Sequence, residues 1–125
     1  EEKLKSKDIS IEDGKKLYYE DYYGEYFEAT PEDVLNAMYE LNRTFQYMCE
    51  ASLDDFYDML GIKTDLGLGW SGNYIDYEWD LAYWIDMYTE DVILDDGLEC
   101  SIIRFPLPPI ANYIDYDPYT EKIKM

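Results

Sequence analysis

Apolar positions change period several times along this chain of 125 residues, and the changes mark out its elements. In LYYEDYYGEYFEA, residues 17–29, they alternate on either side of Asp21-Tyr22-Tyr23-Gly24. Period-two alternation around a polar break with a glycine predicts a β-hairpin. A type I turn followed by Gly24 in the left-handed region makes a three-residue loop with a bulge. That loop sets Asp21 opposite Glu25, Tyr19 opposite Phe27 and Leu17 opposite Ala29. Side chains alternate across a strand, so Leu17, Tyr19, Phe27 and Ala29 are expected on the core face. Tyr18, Glu20, Tyr26 and Glu28 are expected on the outer face.

The period then lengthens. In TPEDVLNAMYELNRTFQYM, Thr30 reads as an N-cap and Pro31 as the first helical residue, while Glu32 and Asp33 complement the positive end of the helix dipole. Val34, Met38, Leu41, Phe45 and Met48 recur at helical spacing as a core stripe. A second helix runs through SLDDFYDML, capped by Ser52 and closed by Gly61. It turns Leu53, Phe56, Tyr57 and Leu60 inward and Asp54, Asp55 and Asp58 outward. KTDLGLGWSGN is a loop leading to a short strand, where Gly67 and Gly69 let backbone pack closely on Trp70. From Tyr74 to Tyr88, the two-apart placing of Tyr77, Trp79, Leu81 and Tyr83 favours a strand. Asp91, Asp95, Asp96 and Gly97 form a turn, LECSIIRF is a strand, and PLPP stops it because proline cannot donate to a ladder. Residues 111–125 read as an extended tail clamped by its tyrosines, residues 1–14 as a charged tail, and residues 15–110 as one domain. A hairpin, two consecutive helices and then an antiparallel sheet imply an α+β fold.

Composition agrees with a folded body: with 47% hydrophobic and 18% aromatic residues, the chain lies far from the disordered class despite its charge. The net charge of −19 is unevenly spread. Lys3, Lys5, Lys7, Lys15, Lys16, Lys122 and Lys124 stand near the ends. Apart from Glu1, Glu2, Asp8, Glu12 and Asp13, every acid lies between Leu17 and Glu121, against only Arg43, Lys63 and Arg104. Such a body repels nucleic acid and anionic lipid heads, so neither direct nucleic-acid binding nor membrane contact is expected. A basic surface on another protein is the partner this charge fits.

Catalytic signatures are sparse. The chain has no histidine, which excludes Ser-His, Cys-His and His-metal sites. GLGWSG has the wrong glycine spacing for a dinucleotide fingerprint, and no P-loop occurs. Asp76, Glu78 and Asp80 match the first ligands of a calcium loop, but Leu81 holds its glycine position and Met87 its bidentate glutamate position. Cys49 and Cys100 lack CxxC spacing and read as reduced, buried thiols. No catalytic residue, metal or cofactor is expected. Trp79 and Trp84 stand five apart and cannot share one face of a regular strand, so one of them is outward as an interface anchor, covered by the tail, or displaced by a bulge.

YYEDYYGEYF, VLNAMYELNR, SLDDFYDMLG, LGW and DDGLECSIIRF together resemble a family of proteins of unknown activity from phages and prophages of Firmicutes. The resemblance covers residues 17–105. Many members carry a hydrophobic segment ahead of this domain, so the resemblance implies a phage or prophage setting. It also implies a membrane anchor upstream of Glu1. The stretch from Tyr74 to Tyr88 and the tail after Phe105 depart from the family pattern.

These features point to a non-enzymatic, acidic protein-binding module of phage or prophage origin, working in the cytoplasm of a bacterial host or tethered to its membrane through an upstream segment. The sharper version is an inhibitor that occupies a basic groove of a host defence protein. The alternatives are a carbohydrate-binding or carbohydrate-active domain and a structural, membrane-tethered phage protein. The candidate partner surface comprises Tyr18, Glu20, Tyr22, Tyr23, Tyr26 and Glu28 of the hairpin, with Trp79 and Trp84.

Overall fold

The computed structural model describes residues 14–79, 84–117 and 122–123. In chain order the elements are β1 (Lys16–Glu20), β2 (Glu25–Ala29), α1 (Pro31–Met48), β3 (Glu50–Ser52), α2 (Leu53–Met59), β4 (Leu68–Ser71), α3 (Gly72–Trp79), β5 (Tyr88–Ile93), β6 (Glu99–Arg104) and β7 (Ile110–Ala111). A 3₁₀ turn (Tyr113–Asp115) and the short strands β8 (Tyr116–Asp117) and β9 (Lys122–Ile123) follow. The fold is α+β, as the order of periods implies. A four-stranded sheet has the order β2-β1-β6-β5, and β3-β4-β7 form a second, smaller sheet. Neighbours in the larger sheet are antiparallel except β1 and β6, which run parallel with Tyr18 beside Ser101. This long-range pairing draws the hairpin into the same sheet as the late strands. The core between sheet and helices holds Phe27, Val34, Leu41, Phe45, Leu53, Phe56, Tyr57, Trp70, Ile75 and Ile103, all buried.

The hairpin register differs from the expected one by a single residue. Tyr19 faces Tyr26, Tyr18 faces Phe27 and Glu20 faces Glu25, so the loop is four residues long. Gly24 closes it at φ +76°, with its N–H donating to the Glu20 carbonyl at 2.8 Å. A one-residue slip exchanges the faces of a strand. Tyr18 and Glu20, expected outward, therefore point into the core, and Tyr19 turns to the other side of the sheet against Tyr26. The cause is Glu20, which is 1% exposed. Its carboxylate accepts from the N–H groups of Tyr22 (2.8 Å) and Tyr23 (3.1 Å) and from the Tyr57 hydroxyl (2.5 Å). An acid with that many donors gains more from the interior than hydrophobic alternation alone suggests.

α1 begins as expected: the Thr30 side chain accepts from the Asp33 N–H at 2.9 Å, with Pro31 in the first turn. Val34, Met38, Leu41 and Phe45 are buried, but Met48 is exposed. Cys49 takes a left-handed conformation at φ 60° immediately after the helix and turns the chain away before Met48 reaches the core. α2 carries a full capping box, with Ser52 and Asp55 each bonding the other's backbone N–H at 3.1 Å. Residues 74–88 do not form a single strand. Residues 72–79 are helical, residues 80–83 lie outside the described set, and only from Tyr88 is the chain extended. The helix is started by Ser71, whose hydroxyl accepts from the Tyr74 N–H at 3.3 Å, and it buries Tyr74 and Ile75 as adjacent residues, which a strand could not do on one face.

β4 crosses the core behind Trp70, which is fully buried and donates its indole N–H to the Leu107 carbonyl at 2.8 Å. Gly69 is forced by the backbone of β3. A Cβ there would collide with the Ala51 carbonyl oxygen and come within 2.8 Å of the Tyr113 ring and 2.9 Å of the Ser52 Cα. Gly69→Ala is therefore expected to cost about 1–3 kcal/mol, as overpacking does, read as a lowered urea midpoint. Gly24→Ala, strained by φ alone, should cost less.

Burial raises the pKa of Glu20 above the ordinary carboxylate range, against the lowering by its three donors. Between the unfolded value and this raised value the folded protein binds more protons than the unfolded chain, so stability rises as pH falls through that window. Asp54 has the opposite sign. The N–H groups of Leu66 (2.9 Å) and Gly67 (3.1 Å) and the Thr64 hydroxyl hold it below its ordinary value, and its contribution is lost as pH falls beneath that range. Chemical denaturation across pH 7 to 4 should show stability rising for the native protein, and the rise should vanish in Glu20→Gln.

Candidate functional site

Side chains four apart on a helix form a continuous ridge along its surface. On α1 the ridge Leu35-Tyr39-Arg43-Tyr47 faces away from the core stripe. Leu35 is 65% exposed, Tyr39 61% and Tyr47 77%. Arg43 stands among the rings, its guanidinium 5.8 Å from the Tyr47 ring centre and 3.1 Å from the Glu40 carboxylate. Cation–π contact and ion pairing hold the head group against the ridge.

Trp84, 49% exposed, forms the facing wall. What fixes it there is Asn42, a buried polar residue beside Tyr39 at the inner margin of the ridge. The Asn42 side-chain oxygen accepts from the Ile85 N–H at 2.7 Å, and its amide donates to the Ile85 carbonyl at 3.0 Å. A side-chain amide thus mimics a strand neighbour and satisfies both backbone groups of Ile85, whose own side chain is buried. Between Tyr39, Arg43, Tyr47 and Trp84 lies an open groove of about 390 Å³. A hollow of about 260 Å³ continues it past Leu35 and Met38 towards Asp86 and Met87. Asp86 lines the hollow, and Glu40 stands beside the groove through its pair with Arg43. Chemically it offers flat π faces and apolar edges in a negative surround, which suits apolar and cationic side chains.

The hairpin residues named from the sequence are not assembled into one surface. Tyr18 and Glu20 are in the core. Tyr23 is half-buried, its ring 4.7 Å from that of Tyr57 and 6.1 Å from that of Phe27. Tyr26 is half-buried beside Tyr19, with ring centres 5.0 Å apart. Tyr22 and Glu28 are exposed. Trp79 is the last residue of α3, and its side chain lies outside the described set. Among the named residues whose side chains are described, Trp84 is the one at the groove. The ridge residues Leu35, Tyr39, Arg43 and Tyr47 lie outside the expected surface, because the apolar period of α1 is strongest along its buried stripe. A second apolar row at the same spacing was there to be read.

Among the described residues no group of three or more acids or cysteines is placed to hold a metal, and no helix is long and apolar enough to cross a membrane. Cys49 is exposed, against the expectation of burial, because it terminates α1 at the surface. Cys100 is buried, and burial pushes its thiol up to about 11.

Asn42→Ala leaves the Ile85 N–H and carbonyl without partners, which costs about 1–3 kcal/mol. The Ile85 amide proton should then exchange faster with solvent while amides in the β1–β6 ladder change only with global stability, measured by hydrogen–deuterium exchange.

No curated protein and no solved structure matches the chain. A family model, described as a family of unknown function, matches residues 1–114, nearly the whole length. The chain belongs to that family, DUF6353.

Proposed function

We propose that the domain is a non-enzymatic protein-binding module that sets the α1 ridge and its acidic surround against a basic surface of another protein. The carrying observation is the exposed row Leu35, Tyr39, Arg43 and Tyr47 with Trp84 opposite it. Interface anchors are typically aromatic or arginine side chains ringed by polar groups, and this row has that composition. The charge of −19 selects the partner's sign: it steers a cationic surface into contact and repels anionic ones. A nucleic-acid-binding groove is the basic surface best matched to such a body. The phage or prophage setting implied by the sequence resemblance makes a host defence protein the partner to test. The aromatic lining of the groove is also the one feature in favour of a carbohydrate ligand, which stacks on such rings.

The immobilised domain should retain a basic nucleic-acid-binding protein from host lysate at low salt. Duplex DNA or RNA should displace that protein, and so should high salt, as expected for a charge-steered contact. Replacing Tyr39, Tyr47 and Trp84 together by alanine should weaken binding of the identified partner by at least about tenfold, as the loss of hot-spot side chains does. Because these side chains are exposed, the thermal midpoint should hardly change. If no such protein is retained, or retention survives the triple substitution, the proposal fails. Binding of an oligosaccharide on a glycan array, lost in the same variant, would favour the carbohydrate ligand instead.

A further inference from the structure

β5 is the last strand of the four-stranded sheet, and among the described residues no strand pairs with its outer side. The Leu94 N–H donates to the Leu98 carbonyl at 2.8 Å, and Leu94 faces Leu98 one step beyond the Ile93–Glu99 pair. That bond fixes the phase of the ladder, because hydrogen-bonded and non-bonded pairs alternate along antiparallel strands. Tyr88, Glu90 and Val92 turn their backbone groups towards β6. Thr89, Asp91 and Ile93 turn theirs towards the open side. The strand also overhangs the core: Thr89 is exposed although its β6 neighbour Ile103 is buried, and Asp91 and Ile93 are exposed as well.

Sheet edges are commonly blunted by a bulge, a proline or a covering loop. β5 has none of these among the described residues; its six residues keep unbroken register with β6. What guards it is negative charge from Glu90, Asp91 and the turn acids Asp95 and Asp96. That guard is selective. Two copies paired antiparallel about the strand centre would set Asp91 against Asp91 or, in the neighbouring register, Glu90 against Glu90, and like charges directly opposite are destabilising. A cationic strand meets the reverse situation. Within the sheet both carboxylates already take cations across the ladder: Arg104 lies 2.9 Å from Glu90, and Lys16 3.7 Å from Asp91. Both acids stay more than half exposed in these pairs, Glu90 at 55% and Asp91 at 77%. Val92 and Ile93 add apolar contacts on alternate faces.

We propose that the open edge of β5 accepts an extended, lysine- or arginine-bearing segment of another protein as an additional strand, held by the backbone groups of Thr89, Asp91 and Ile93 and selected by Glu90 and Asp91. This surface uses different residues from the α1 ridge, and it stands or falls separately.

The probe is a blocked hexapeptide alternating lysine and valine, with an alternating glutamate–valine peptide as control. Addition of the lysine peptide at low salt should slow exchange of the Thr89, Asp91 and Ile93 amide protons at least fivefold, without comparable change at Glu90 or Val92. The glutamate peptide should do nothing. Thr89→Pro removes an outward donor but no bond to β6, so it should abolish peptide binding while leaving the β5–β6 ladder protected. Glu90→Gln with Asp91→Asn should weaken binding of the lysine peptide and permit binding of the glutamate peptide. Four results would overturn the proposal: no binding of the lysine peptide, equal binding of both peptides, binding that leaves the three outward amides unchanged, or concentration-dependent protection of those amides without peptide, which would make a second copy the occupant.

Discussion

The bond between Glu20 and Tyr57 is the constraint on which the arrangement of hairpin, helix and sheet depends. A carboxylate taken out of water is costly unless donors replace its hydration. Here the hairpin loop supplies two N–H groups and α2 supplies a hydroxyl. The loop is thereby closed from beneath, β1 is held with Tyr18 and Glu20 inward, and α2 is fixed against the hairpin, where Tyr57 also stacks edge-on with Phe27 and Phe56. Burial and the adjacent carboxylate raise the pKa of the Tyr57 hydroxyl far above its ordinary range, which keeps it the donor of the pair. Neither partner is satisfied without the other. The pair therefore contributes specificity of register more than it contributes raw stability.

Much of the fold was legible from period and caps. Thr30-Pro31-Glu32-Asp33 marks the start of α1 by chemistry that needs no tertiary information, and Ser52 does the same for α2. The glycine before Trp70 reports a close backbone approach, as found. The hairpin register was not legible, because alternation treats tyrosine as apolar and glutamate as polar at every site. The sequence contains no sign that Glu20 finds three donors, one of them on an element far along the chain. Residues 72–79 were misread for a related reason. The two-apart tyrosines and tryptophan imitate a strand, while the deciding signal is one serine hydroxyl at the N-cap.

The site was legible only in part. The spacing of Trp79 and Trp84 required one of them to leave the strand face, and Trp84 does stand exposed, although the segment is not the regular strand on which that spacing was judged. Which surface it joins could not be foreseen, since it depends on Asn42 reaching Ile85 across the fold. Tyr39 and Tyr47 are ordinary helix-surface positions until Trp84 is set beside them, and their neighbour Asn42 looks like a surface amide in a helical projection. Buried polar groups thus account for the errors at both places: Glu20 takes the hydroxyl of Tyr57 and Asn42 takes the backbone of Ile85, each partner far along the chain.

The parallel pairing of β1 with β6 has a consequence for how the chain reaches this state. Tyr18 leaves the ribosome long before Ser101, its neighbour in the finished sheet. Until β6 arrives, the hairpin's β1 edge is open as well as its β2 edge, and its core-facing rings lack a floor. Pairings of such large sequence separation incur their loop-closure entropy before any contact repays it, which slows folding and prolongs the exposure of unpaired strands. During synthesis, the abundance of acids around β1 and β2 then acts on kinetics: charge keeps nascent hairpins apart on neighbouring ribosomes until the strand that completes them has been made.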